Sequence, residues 1–146
     1  METCCALSPI YFIALWFGSM LLIARVGWSQ LAEKYACHNP YNGPKQGWQW
    51  GMLNWAAYKG CLWLAISPDG LYLETGPSLL FRAFHPPLLI PWSAIKSVKE
   101  TKYWFMRVLE IKFMQSDVKL RLRAKFLPDL KPFLGQKISD NQLIED

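Results

Sequence analysis

The sequence predicts a mainly β protein with some helix: a small, strongly bent antiparallel barrel or sandwich with a short C-terminal helix, hung from an N-terminal transmembrane helix. Three observations lead there. Residues 3–24, TCCALSPIYFIALWFGSMLLIA, hold no charged side chain over 22 positions. From Trp48 onward, aromatic and aliphatic runs of strand length follow one another, separated by turn-forming residues. In VKLRLRAK, Val118, Leu120, Leu122 and Ala124 alternate with Lys119, Arg121, Arg123 and Lys125, the period of a strand with one buried and one wet face.

At 146 residues the chain has room for one domain beyond such a helix. Hydrophobic residues make up 52% and charged residues 18%, below the roughly 25% charged of a soluble domain. The apolar excess sits largely in the first segment. As a helix, 22 residues rise about 33 Å, against a hydrocarbon core of about 30 Å. Pro9 marks a possible helix start near Ser8, which would leave about 17 apolar residues, close to the lower limit for a span.

A cleaved signal peptide would need a basic n-region and a small-residue cleavage site. Here only Met1-Glu2 precede the run, ARVGWS stands at its end, and Cys4 and Cys5 lie at its start and not after it. An uncleaved anchor is therefore expected. Arg25, Lys34 and Lys45 follow the segment, so the positive-inside bias puts the N-terminus outside and residues 25–146 at the cytoplasmic face of the inner membrane. Arg25 and Trp28 are expected at the membrane edge. Ala14 and Gly18 form a small-xxx-small pair that permits self-association.

In GWSQLAEKYA, Trp28, Leu31, Ala32 and Tyr35 recur at helical spacing, with Gln30, Glu33 and Lys34 opposite. This short amphipathic helix either lies in the membrane interface or caps the domain; its weakly basic polar face favours capping. CHNPYNGPKQG reads as a loop. WQWGML, YKGCLWLAIS and LYLET read as strands, with SPDG a turn carrying proline at its second position. LLFRAF, HPPLLIPW, AIKSVKETKYW, RVLEIKF and VKLRLRAKF continue the strand-like series, and FLPDLKPFLG closes it as a short helix limited by Pro128 and Pro132. The expected organisation is an anchor over 1–26 (span about 3–24), a juxtamembrane helix and loop over 27–47, a β domain over 48–135 and a frayed polar tail over 136–146.

The run SPDGLYLET…LLFRAFHPPLLIPWSAIKSV resembles the pleckstrin-homology-like and GRAM-type pattern of small bacterial proteins: a GLYL-type strand, an apolar strand, then I-x-W-x-x-I opening the next. With GW-x-x-LA-x-x-Y ahead of it, the chain is similar to bacterial single-pass membrane proteins that carry such a domain, over about residues 27–134. The resemblance implies a PH-like barrel. It does not extend to inositide recognition, because only Lys59 stands in the early strands where eukaryotic members grip inositol phosphates.

The chemistry-bearing residues favour structure over catalysis. His85, in RAFHPPLL, has no recognisable acid or nucleophile beside it in sequence and reads as a turn histidine ahead of two prolines. Ser78 and Ser93 lack a nucleophile-elbow context, and Asp69 belongs to the turn. Cys37, His38, Cys61 and His85 match no usual metal-ligand spacing, and Cys61 reads as core. No disulfide framework, metal or cofactor is expected.

The cations carry more information. From Arg82 to Lys125 there are ten Lys or Arg against Glu100, Glu110 and Asp117, a net of +7 where the whole chain carries +5. Strand period puts Lys119, Arg121, Arg123 and Lys125 on one face, either a solvated face that discourages edge pairing or a surface for anionic phospholipid headgroups. KYWFMR, with Lys102 and Arg107 around aromatics, reads as a membrane-dipping tip or as a strand inside the barrel. The expected function is non-catalytic, lipid-headgroup binding at the membrane face. The alternatives are a protein-interaction module with an exposed β edge or, least favoured, an enzyme. Nucleic acid is not an expected partner.

Overall fold

The computed structural model describes residues 4–39, 41–76 and 79–139. An unbroken helical rod opens it: α1 (Cys4–Ile23), a π-helical stretch Ala24–Trp28, and α2 (Ser29–Tyr35). The 20 residues of α1 rise about 30 Å, long and apolar enough to cross a membrane. Pro9 lies inside this helix instead of starting it. In the second turn its missing donor forgoes only a bond near the helix end.

From Ala24 the same rod enters the domain. Ala24, Trp28 and Leu31 are buried, and Ile23, Val26, Ala32 and Tyr35 pack on the core. The juxtamembrane helix therefore caps the domain. Trp28, expected at the membrane edge, is 0% exposed, and its indole donates to the Pro86 carbonyl at 2.9 Å. The amphipathic stripe was read correctly, but the domain covers it, and headgroups cannot reach it. Gly27 permits the close passage: a Cβ there would stand 3.0 Å from Leu53 Cβ and 3.2 Å from Val118 Cγ1.

The β domain comprises β1 (Gln46–Leu53), β2 (Ala56–Ser67), β3 (Gly70–Thr75), β4 (Leu88–Ile90), β5 (Ile95–Tyr103), β6 (Met106–Phe113) and β7 (Lys119–Arg123), with a two-residue β8 (Ile138–Ser139). Their order is β4-β3-β2-β1-β7-β6-β5-β8. The first seven pair antiparallel and curl into a half-barrel, while β8 joins β5 in parallel. Register shifts in β1 between Gln46 and Gly51, with Trp48 at φ 56°, help to bend the sheet. Pro68-Asp69 turns β2 into β3 as the SPDG pattern predicts. Gly70 is needed there, since a Cβ would strike the Ile90 carbonyl.

LLFRAF, expected among the strands, is a helix, α3 (Leu79–Phe84). It lies in the excursion between β3 and β4, where no strand pairs with it, and a short apolar run does not by itself choose between strand and helix. Phe84 meets Phe17 of α1 edge-on, with ring centroids 5.9 Å apart. The next residues form scaffold: Leu88, Ile90 and Ile95 are fully buried. Trp92 donates to the Ser67 carbonyl at 2.9 Å and stacks on Phe133 at 4.8 Å.

The strand predicted over VKLRLRAKF ends at Arg123, where Ala124–Phe126 form a 3-10 turn into α4 (Leu127–Leu134). Pro128 occupies the first turn and Pro132 the interior, so the helix is short. Phe126, Leu130 and Leu134 close the core. The tail does not fray at 136. Lys137 donates to the Trp92 carbonyl at 3.0 Å, and Ile138 and Ser139 pair with Val98 and Lys99. The remainder of the expected tail, 140–146, lies outside the described residues.

Candidate functional site

The basic surface follows from strand register. Lys99 pairs with Glu110, which pairs with Arg121; Lys112 pairs with Lys119; Thr101 pairs with Val108, which pairs with Arg123; and Tyr103 pairs with Met106. Directly opposed residues in a sheet share a face, so Lys99, Lys112, Lys119, Arg121 and Arg123 stand together on the outside of β5, β6 and β7. Lys99 and Lys112 join the cations expected from the β7 pattern alone. Lys125 lies beyond the strand, exposed, with its ammonium 5.0 Å from the Phe126 ring centroid.

These cations are not equivalent. Lys99, Lys112, Lys119 and Arg123 are exposed. Arg121 is half-buried: its guanidinium donates to Glu110 Oε2 at 3.4 Å and lies 5.6 Å from the Tyr103 ring centroid. It braces the face and is partly neutralised by Glu110. Trp50 stands beside the same Tyr103, with ring centroids 6.0 Å apart.

Lys102 and Arg107 pair with each other across the β5–β6 hairpin, one position out of phase with Tyr103 and Met106. They border the tip but do not share the face of Arg121. Arg107 also holds Glu100 at 2.6 Å. Between them Trp104 and Phe105 form the turn, 82% and 89% exposed, so this aromatic pair is not inside the barrel. Trp104 adopts φ 57°, a left-handed conformation that is costly for a bulky residue.

One hydrogen-bonded link ties the basic face to the anchor. Asn54, at φ 53° in the β1–β2 turn, donates to the Val26 carbonyl at 2.7 Å and accepts from the Lys119 N–H at 3.1 Å. Lys119, the first residue of β7, is thus held beside the point where the helix leaves its exposed apolar stretch. Arg25 is exposed at that exit. Trp55, next in the turn, and Trp48 are 64% and 72% exposed. Strand alternation gave no reason to separate either from the core aromatics.

A second polar cluster was not anticipated. Glu74, 4% exposed, accepts from Lys45 at 3.0 Å, from Tyr72 at 3.2 Å, and from Arg82. The loop bearing Tyr41 and Lys45 crosses this part of the sheet, with Tyr41 5.6 Å from Tyr72 and Lys45 over the same ring. Burial lowers the Lys45 pKa and the nearby Arg82 charge lowers it further. Lys45, Trp63, Glu74, Gly76 and Arg82 line a cavity of about 140 Å³.

His85 is not a surface turn residue. It is 1% exposed, with Nε2 3.2 Å from the Tyr58 hydroxyl and its ring 5.4 Å from Trp28. Burial raises the Tyr58 pKa well above its ordinary value. Burial likewise raises the pKa of the half-buried Cys61 thiol. Cys37 donates to the Asn39 carbonyl. Among the described residues no three His, Cys, Asp or Glu side chains gather as metal ligands.

No protein-family model matches this chain, and no curated protein matches it.

Proposed function

We propose that this chain is a membrane-anchored, non-catalytic module whose PH-like β domain rests on the cytoplasmic face of a bacterial inner membrane. There it binds anionic lipid headgroups through the outer face of β5, β6 and β7. The observation that carries this reading is the Asn54 link from Val26 to Lys119, which keeps the basic strand next to the exit of the apolar helix. Lys99, Lys112, Lys119 and Arg123 supply exposed charge, each contributing on the order of 1 kcal/mol close to an anionic surface. Lys102, Arg107 and Lys125 border it, and Trp104 and Phe105 offer an exposed aromatic tip suited to the headgroup zone.

The continuity of the helix from α1 into the core favours an uncleaved anchor, since any cut within ARVGWS would remove at least Ile23 and Ala24 from their packing on the domain. The seven antiparallel strands closed by α4 favour the PH-like reading. The edge-pairing alternative has less support: β8 has two residues, and three-residue β4 is already bridged by Ala36.

The test places the full chain in nanodiscs of neutral lipid and of neutral lipid with about one third phosphatidylglycerol. Hydrogen exchange of β6 and β7 is followed at low and high salt. Added protection with anionic lipid, lost at high salt and in Lys119→Glu/Arg123→Glu, is expected. Equal exchange in both discs would refute headgroup binding by this face. A C-terminal reporter active only outside the cytoplasm would refute the orientation.

A further inference from the structure

We propose that the cavity lined by Lys45, Trp63, Glu74, Gly76 and Arg82 is a second, separate site, which binds the phosphodiester of one lipid headgroup in the leaflet that the anchor helix leaves.

The first ground is depth. Phe84 of α3 packs on Phe17 of α1. Phe17 lies seven residues before Ala24, where the domain first buries the helix, hence about 10 Å farther along the axis. With α1 across a bilayer, this contact dips Phe84 among the acyl chains just inside the helix exit. Arg82 is two residues from Phe84, and its side chain is 40% exposed. From there a long cationic side chain extends toward the headgroups, and it also reaches the cavity.

The second ground is charge. Lys45 and Arg82 converge on the single carboxylate of Glu74, leaving the cluster one positive charge in excess. A phosphodiester carries one negative charge and would make the assembly neutral. The two cations repel each other in a partly desolvated place, to which the lowered pKa of Lys45 testifies, and an anion between them relieves that repulsion. Guanidinium groups match phosphate oxygens in geometry as well as charge.

The third ground is room. The cavity holds about 140 Å³, Trp63 forms one wall, and Gly76 adds no side chain to it. The outer face of β5, β6 and β7 attracts any anionic surface, whereas this cavity would retain one molecule. Its case does not depend on the basic strand, only on the membrane anchorage.

The test is native mass spectrometry of the full chain released from micelles containing phosphatidylglycerol or diacylglycerol, which lacks the phosphate. One retained phosphatidylglycerol and no retained diacylglycerol are expected. Arg82→Gln should reduce retention at least tenfold. Because that change also disturbs Glu74, Arg82→Lys provides the cleaner variant: it keeps a cation beside Glu74 and removes the guanidinium fork, with a several-fold loss expected. Soluble glycerophosphoglycerol tests the source. Weak binding supports a bilayer headgroup; tight binding supports the phosphodiester site but assigns it a soluble ligand. Retention unchanged in both variants, or equal retention of diacylglycerol, overturns the proposal. Lys119→Glu/Arg123→Glu should keep the single lipid whether or not it loses adhesion to vesicles, so failure of one site is distinguishable from failure of the other.

Discussion

Asn54 donates from Nδ2 to the carbonyl of Val26, 28 residues earlier, at 2.7 Å. The same side chain accepts from the Lys119 N–H, so one residue joins the anchor rod, the β1–β2 turn and the basic strand. Its φ of 53° suits asparagine, which tolerates the left-handed region better than most residues.

These two roles can be separated by substitution. Asn54→Gly keeps the backbone conformation and removes both side-chain hydrogen bonds, for an expected loss of roughly 1–2 kcal/mol. Asn54→Ala should lose upward of about 1 kcal/mol more, because it also strains the turn. Denaturant titration in detergent measures both, and a neutral Asn54→Gly would deny the link any structural weight.

Because the rod is part of the core, its residues should behave as core residues. Leu31→Ala is expected to cost roughly 2–5 kcal/mol, and Gly27→Ala roughly 1–3 kcal/mol by crowding Leu53 and Val118. Thermal unfolding of the detergent-solubilised chain checks them. A Leu31→Ala within 0.5 kcal/mol of the parent, on the order of a surface change, would mean that the helix only lies on the membrane.

Tyr58 predicts a dependence on alkaline pH. Burial, followed by the neighbouring Cys61, raises its pKa above the ordinary 10.0. Folding thus favours the neutral phenol, and this contribution is intact below pH about 10 and declines as the pH rises through the folded-state value. Stability measured from pH 8 to 11 should fall at the upper end. Tyr58→Phe, though less stable at pH 8 for want of the His85 contact, should fall less steeply; an unchanged slope would rule out this phenol as a contributor.

The basic face predicts unequal cations. Lys119→Gln removes an exposed charge and should weaken adhesion to anionic vesicles about fivefold, the equivalent of about 1 kcal/mol. Arg121→Gln removes a guanidinium already shared with Glu110. It should weaken adhesion less, while lowering stability by about 1 kcal/mol. Vesicle sedimentation paired with thermal unfolding distinguishes them, and the reverse ranking would contradict the observed pairing.

The anchor, the strand series, the SPDG turn and the short closing helix were legible because each rests on local pattern: an uninterrupted apolar run, a two-residue alternation, and prolines at interpretable positions. LLFRAF was not, since its six residues suit either helix or strand until a partner is present or absent. The buried cluster at Glu74 was hidden for a related reason. Nothing near Glu74 in the chain marks it as buried, and it is a distant loop carrying Lys45 that covers it.

The sequence by itself determined which segments are apolar, which faces alternate and where positive charge accumulates, because these properties depend on residues within a few positions of one another. Only the tertiary structure decided what each face meets. The apolar stripe of 28–35 would satisfy a bilayer interface or a protein core equally well, and the half-barrel claims it through Trp28 and Leu31. Lys102 and Arg107 fall out of phase with the basic face because the β5–β6 register opposes them to each other. Lys119 stands beside the anchor because Asn54 spans both, a contact between segments far apart in the chain that no local periodicity encodes.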